Sequence, residues 1–236
     1  MSVITQQATA IQARGMRREG WLLIAAFAAG LLIIVIQSVF YADLDAQLVA
    51  RAAELGHRPP LEEYSRIQAQ FAGNALVEVL GQLLFGLPPF ALLALAVSSI
   101  RHRLQGGVAQ RLGSVAWWCA LGALAAWIIQ LYLDLSVKFG PGHWWPFGAW
   151  FDLLYSPFAF ATAFFGLGAV SATALVLRRQ GITPWMALAA LIVAALLAVA
   201  NAAAAIATSF AAGLPPLIPL IPALMLGLGL MRARQA

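Results

Sequence analysis

Six separate stretches of the sequence approach or exceed the length of a lipid bilayer, and this feature constrains the fold more than any other. A membrane-spanning helix needs roughly 20 mostly apolar residues. The stretches cover residues 21–41, 75–100, 113–137, 153–177, 185–209 and about 217–231. Because lipid offers no hydrogen-bond partner to exposed backbone, each stretch is expected to be helical. The sequence therefore predicts an all-α polytopic membrane bundle with six transmembrane helices.

The composition agrees with a lipid environment. Of the 236 residues, 62% are hydrophobic and 10% are charged, whereas soluble domains contain about 25% charged residues. A water-soluble fold of this size needs polar residues to cover its surface. The composition therefore excludes an ordinary soluble protein.

The basic residues are distributed unevenly between the two sides of the six stretches. If the stretches cross the membrane in turn, one side receives ten of the fourteen basic residues: Arg14, Arg17, Arg18, Arg101, Arg103, Arg111, Arg178, Arg179, Arg232 and Arg234. The other side receives Arg51, Arg58, Arg66 and Lys138. Basic segments are retained preferentially in the cytoplasm, so both termini are predicted to be cytoplasmic. The net charge of +5 then reflects topology, and no nucleic-acid partner is expected.

One domain is expected, preceded by a short lead. Residues 1–20 form a polar cytoplasmic lead, and residues 21–236 form a single transmembrane domain. The first apolar stretch is longer than the 7–15 residues of a signal-peptide core, so we interpret it as a retained helix. The chain is rich in Ala, Leu and Arg and poor in Lys. This composition is typical of bacteria, and the predicted location is the bacterial inner membrane.

The longest predicted external segment covers residues 42–74. Leu44, Leu48, Ala52 and Leu55 recur every three or four residues, which indicates an amphipathic helix. Gly56 is expected to end this helix. The segment is interpreted either as a lid over the bundle or as a solvated connector.

Three sequence features indicate where a predicted helix begins, which face packs and where a helix bends. Thr183 and Pro184 are expected at the N-cap and first helical positions of the fifth helix. Its alanines at positions 190, 194, 198 and 202 lie four apart and predict a packing face. Pro88 and Pro89 fall inside the second stretch and predict a kink. The alternative is a broken helix whose backbone binds ions or substrate.

Polar residues within the apolar stretches are candidates for a binding site. Asn74, Glu78 and Gln82 lie four apart, so they share one face of the second helix. Gln130 and Asp134 share a face of the third helix by the same rule. Ionisable groups are costly in lipid, so their presence there points to a function.

Three further residues complete the candidate site. Asp152 and Tyr155 open the fourth stretch, and His143 lies in the loop before it. Under the predicted topology all eight residues belong to the outer half of the membrane and predict a pocket that is open to the outside. The alternative assigns them interfacial or helix-packing roles. Neither a metal site nor a cofactor is predicted, and no residue is assigned as catalytic.

Three classes of function follow from these features. The first is a non-enzymatic accessory, sensor or assembly protein, whose partner is another membrane protein or a second copy of the chain besides the lipid bilayer. The second is a small-solute or ion transporter that uses the outward-facing polar cluster. The third is a membrane enzyme acting on a lipid-linked substrate at the outer face. The first is favoured because the short loops and the small-residue helix face fit it and because it requires the fewest features of the sequence.

Overall fold

The computed structural model describes residues 16–40, 42–56, 59, 63, 66–67, 70, 79–104, 107–138, 151–207 and 215–232. Seven α-helices lie within these residues: α1 (Arg17–Phe40), α2 (Ala42–Leu55), α3 (Pro88–His102), α4 (Gly107–Lys138), α5 (Phe151–Arg179), α6 (Pro184–Ala207) and α7 (Leu220–Arg232). A π-helical turn (Gln82–Gly86) precedes α3. The described part of the chain contains no strand. The predicted all-α helix bundle is confirmed.

Within the part of the chain that the structure describes, five helices are long and apolar enough to cross a membrane. They cover Arg17–Ile36, Val79–His102, Gly107–Leu135, Pro157–Arg179 and Pro184–Ile206. The protein is therefore a multi-pass membrane protein. Helix α7 has 13 residues and a length of about 20 Å at 1.5 Å per residue, so a sixth crossing stays a prediction.

Prolines set the start of α7. Pro215, Pro216 and Pro219 carry no backbone N–H and cannot donate helical hydrogen bonds. Residues 216–219 form turns, in which the N–H of Ile218 donates to the carbonyl of Pro215 at 3.1 Å. Regular helix begins only at Leu220, three residues later than predicted.

Six helices form a closed ring in chain order. Helix α1 packs against α3, and each later helix packs against the next until α7 returns to α1. Helix α5 also contacts α3 and α7, and it contains the most buried of the five spans. Helix α2 lies outside the ring and contacts α1.

Glycines close the ring between α1 and α7. A Cβ on Gly227 would lie 2.9 Å from the carbonyl oxygen of Gly20, and a Cβ on Gly20 would lie 3.1 Å from that of Gly227. The two backbones approach this closely because neither residue has a side chain. Small residues have this role in many membrane helix pairs.

One end of the ring carries most of the arginines. Side-chain and backbone contacts bring together the starts of α1, α4 and α6 and the ends of α3 and α7, and a short turn adds the end of α5. We call this the basic end. Its exposed arginines are Arg17, Arg18, Arg103, Arg111, Arg178, Arg179 and Arg232.

The turn between α5 and α6 differs from the prediction at Thr183. Gly181 has a φ of 70°, and the N–H of Ile182 donates to the carbonyl of Leu177 at 2.9 Å, which closes α5 with a Schellman motif. Thr183 follows with a φ of 47°, and its hydroxyl has no hydrogen-bond partner in the described part of the chain. The predicted side-chain N-cap was therefore wrong. Pro184 does begin α6 as predicted.

A helix is present where the 42–74 segment predicts one. It ends at Leu55, and Gly56 follows with a φ of 70°. Arg51 forms hydrogen bonds of 2.7 Å with both Glu54 and Glu63. The hydrogen bond to Glu54, and after it the bond to Glu63, raises the pKa of Arg51 above its usual value. Arg51 therefore stays charged at all relevant pH.

Candidate functional site

Two of the predicted site residues contact each other between neighbouring helices. Gln82 lies in the π-helical turn before α3, and Asp134 lies near the end of α4. The side-chain Nε2 of Gln82 donates a hydrogen bond of 3.1 Å to Oδ2 of Asp134. The polar faces of the second and third predicted helices therefore meet at this pair.

The π-helical turn results from the two prolines that follow it. Pro88 and Pro89 have no N–H, so the carbonyls of Leu84 and Phe85 cannot receive the usual helical bond from four residues ahead. The N–H of Leu87 instead donates to the carbonyl of Gln82, five residues earlier, at 3.0 Å. The break in the helix thus takes the form of a π turn, a feature found often at functional sites.

Gly86 and Trp127 hold this turn against α4. The indole Nε1 of Trp127 donates to the carbonyl oxygen of Gly86 at 2.6 Å. A Cβ on Gly86 would lie 2.7 Å from Oε1 of Gln82, so glycine leaves the space that the Gln82 side chain occupies. The ring of Trp127 also packs against Phe90, with centroids 5.4 Å apart.

Gln130 forms a separate contact with α5. It is buried, and the hydroxyl of Thr162 donates to its Oε1 at 3.1 Å. The same hydroxyl lies 2.8 Å from the carbonyl of Phe158, and its single proton serves one acceptor at a time. This pair joins α4 to α5, whereas Gln82 and Asp134 join the π turn to α4.

The other predicted site residues lie outside the described part of the structure. Asn74, Glu78 and His143 fall in segments that are not described. The backbones of Asp152 and Tyr155 are in α5, but their side chains are outside the description. Within the described residues no group of three or more His, Cys, Asp and Glu side chains is placed to hold a metal ion.

A second polar cluster lies at the basic end, and the sequence analysis missed it. Glu19, in the first turn of α1, is fully buried. Its Oε1 accepts hydrogen bonds from the hydroxyl of Ser99 at 2.5 Å and from Nε of Arg103 at 2.9 Å. Its Oε2 is buried with no hydrogen-bond partner among the described residues. We call Glu19, Ser99 and Arg103 the Glu19 cluster.

The sequence did contain a signal for this cluster. Glu19 is the one acidic residue in a basic segment, two residues before the apolar run that begins at Trp21. Ser99 lies at the end of the second predicted helix, and Arg103 follows it by four residues, so a helix that continues one turn past Ile100 places both on one face. A buried charge near lipid requires a partner, and Arg103 is the basic residue that the fold supplies.

Away from the Glu19 cluster, polar side chains of the described residues link neighbouring helices through three hydrogen bonds. Gln82 bonds to Asp134 and Trp127 bonds to the Gly86 carbonyl, so both bonds join the π turn to α4. Thr162 bonds to Gln130 and joins α5 to α4.

Comparison of the chain with protein-family models, with curated proteins and with solved structures gave no match.

Proposed function

We propose that this chain is a non-enzymatic accessory, sensor or assembly protein of the bacterial inner membrane. In this proposal the six ring helices cross the membrane, and both termini are cytoplasmic. Its partners are the lipid bilayer and, for an assembly role, another membrane protein or a second copy of the chain.

One observation carries the proposal: polar side chains inside the spans form hydrogen bonds between helices. Gln82 binds Asp134, Thr162 binds Gln130, and Trp127 binds the Gly86 carbonyl. Such bonds hold membrane helices together and contribute about 0.6 kcal/mol each on average. Side chains used in this way support a packing role over a binding role.

The charge distribution supports the proposed orientation. Among the described residues, seven exposed arginines lie at the basic end, and the only carboxylate described there, Glu19, is buried. Retention of basic segments in the cytoplasm would place this end inside the cell. The paired polar residues Gln82 and Asp134 would then lie in the outer half of the bilayer.

The test compares the response of the purified protein to ions and pH before and after substitution of Asp134. For a packing role, sodium, potassium and changes between pH 5 and 8 are expected to shift the thermal unfolding midpoint equally in wild type and in Asp134→Asn. Gln130→Glu serves as a control that introduces a carboxylate one turn away. An ion-dependent shift that Asp134→Asn abolishes would contradict the proposal.

A second candidate is a small-solute or ion transporter. The observation in its favour is the location of the Gln82–Asp134 pair beside a π turn, where prolines deprive two carbonyls of their helical partners. Broken helices of this kind bind ions in transporters. Uptake of a labelled cation into liposomes containing the protein, lost in Asp134→Asn, would favour the transporter.

A further inference from the structure

We infer that Arg103, held in place by Glu19, forms a binding site for the phosphate of an anionic phospholipid at the basic end. The inference goes beyond the proposed function, because it applies equally to an accessory protein and to a transporter. It rests on four observations: the geometry of the ion pair, the exposure of Arg103, the charge around it and its depth in the membrane.

The ion pair uses only part of the Arg103 guanidinium. Glu19 accepts from Nε alone, through one oxygen, at 2.9 Å. A guanidinium has five N–H donors in a rigid plane, so the four donors on the Nη atoms remain without a protein partner among the described residues. The Arg103 side chain is 41% exposed whereas Glu19 is 0% exposed. One edge of the guanidinium is therefore anchored in the protein and the rest reaches the surface.

Ser99 also holds the Glu19 carboxylate, which anchors Arg103, in place. Its hydroxyl donates to the same Glu19 oxygen at 2.5 Å. Both donors come from α3 or its first following residue, and the acceptor comes from α1. The carboxylate is thus held between two packed helices, which restricts the orientation of Arg103. A preoriented guanidinium loses less entropy when it binds a planar or tetrahedral oxyanion.

The charge around this anchor favours an anion. Arg17 and Arg18 are exposed and directly precede Glu19 in α1, and Arg101 is partly exposed at the end of α3. Their positive charges exceed the single negative charge of Glu19. Arginine is favoured where phosphate oxygens are bound by two parallel hydrogen bonds.

The depth of Arg103 selects a lipid over a soluble anion. At the basic end, the apolar span of α1 begins at Arg17 and the apolar span that contains α3 ends at His102. Arg103 is the next residue after His102. Arg103 therefore lies where the apolar span gives way to the phospholipid head groups. Basic residues at this depth interact with anionic lipids. A lipid phosphate at this position would accept hydrogen bonds from the outer Nη groups.

The test measures thermal unfolding of the purified full chain in detergent with added phosphatidylglycerol, phosphatidylethanolamine or inorganic phosphate. Phosphatidylglycerol is expected to raise the midpoint more than phosphatidylethanolamine does, and inorganic phosphate is expected to have no effect. An equal rise with inorganic phosphate would overturn the assignment to a lipid.

The variant Glu19→Gln distinguishes a site that depends on the Glu19–Arg103 ion pair from attraction by surface charge alone. The substitution removes a negative charge, so a purely electrostatic surface would bind phosphatidylglycerol as tightly as before or more tightly. A site that depends on the anchor would bind it roughly tenfold more weakly, about the loss of one charge-assisted hydrogen bond. Unchanged or tighter binding by Glu19→Gln would overturn the inference.

Two further variants complete the design. Arg179→Gln removes an exposed arginine at the same end that forms no ion pair with a described carboxylate, and it is expected to weaken binding much less than Glu19→Gln. If Glu19→Gln does not fold, Arg103→Lys tests the inference instead. Lysine keeps the positive charge but lacks the planar guanidinium that forms two parallel hydrogen bonds to phosphate. Wild-type affinity in Arg103→Lys would overturn the inference.

Discussion

At the scale of single residues, Asp134 provides the clearest test of the packing role. Asp134→Ala removes the acceptor for Gln82, and we expect a loss of about 1 kcal/mol in the free energy of unfolding. Asp134→Asn keeps an oxygen for the same bond and is expected to lose less. Unfolding of the purified variants in detergent measures both. Equal losses would show that the charge of Asp134, and not the hydrogen bond, is what stabilises the fold.

Trp127 allows the indole hydrogen bond to be measured separately from ring packing. Trp127→Phe keeps an aromatic ring beside Phe90 but removes the donor to the Gly86 carbonyl. We expect a loss of about 1 kcal/mol, because a hydrogen bond in a buried position disappears. Trp118→Phe is the matched control, since Trp118 lies on the same helix and is 69% exposed. An equally large loss in the free energy of unfolding of Trp118→Phe would contradict the stabilising role of the Trp127–Gly86 hydrogen bond.

Sequence reasoning found some of these residues and not others for a physical reason. Helical spacing predicts that Gln130 and Asp134 share a face, but it does not reveal their partners on other helices. Glu19 was missed because its partner Ser99 lies 80 positions away in the chain. Thr183 matched a capping pattern, yet the fold holds it at a positive φ against Gly229. Contacts between distant segments decide these cases.

At the scale of helices, the glycine contact between α1 and α7 is the feature most sensitive to substitution. A Cβ on Gly227 would lie 2.9 Å from the Gly20 carbonyl and 3.0 Å from Ile24. Gly227→Ala therefore requires the helices to separate, and we expect a loss of about 1–3 kcal/mol, the usual cost of overpacking. The unfolding midpoint in detergent measures the loss.

Gly81 provides the control for that substitution. It is helical, with a φ of −58°, and a Cβ there would meet nothing within 4 Å. Gly81→Ala should leave stability unchanged or raise it by up to about 1 kcal/mol, because alanine has the higher helix propensity. If both substitutions have the same effect, the close approach of α1 and α7 is not supported.

Helix positions were largely predictable, whereas helix ends and breaks were less so. Long apolar runs predicted the five spans because lipid requires such runs. The start of α7 shifted to Leu220 because three prolines precede it. The kink predicted at Pro88 and Pro89 is a π turn, and its Gly86 carbonyl accepts a hydrogen bond from Trp127 on another helix, a contact that the sequence does not reveal.

At the scale of the whole molecule, the order of helices in the ring was not predictable from the chain. Helices such as α1 and α4 are apolar on nearly all sides, so the sequence does not indicate which face is inside. The ring closes through glycines and polar pairs that only the structure identifies. The collection of arginines at one end was predictable, because it depends only on counting charges between spans.

Orientation in the membrane is the central claim, since it decides whether the Gln82–Asp134 pair belongs to the outer half of the bilayer and the basic end to the cytoplasmic side. In a Cys119→Ser background, Val49→Cys places a thiol on α2, away from the basic end, and Gln110→Cys places one at the basic end. Both positions are exposed. Spheroplasts treated with a membrane-impermeant maleimide report which thiol faces outward. We predict that Val49→Cys reacts in intact spheroplasts and that Gln110→Cys reacts only after permeabilisation. The reverse pattern would contradict the account.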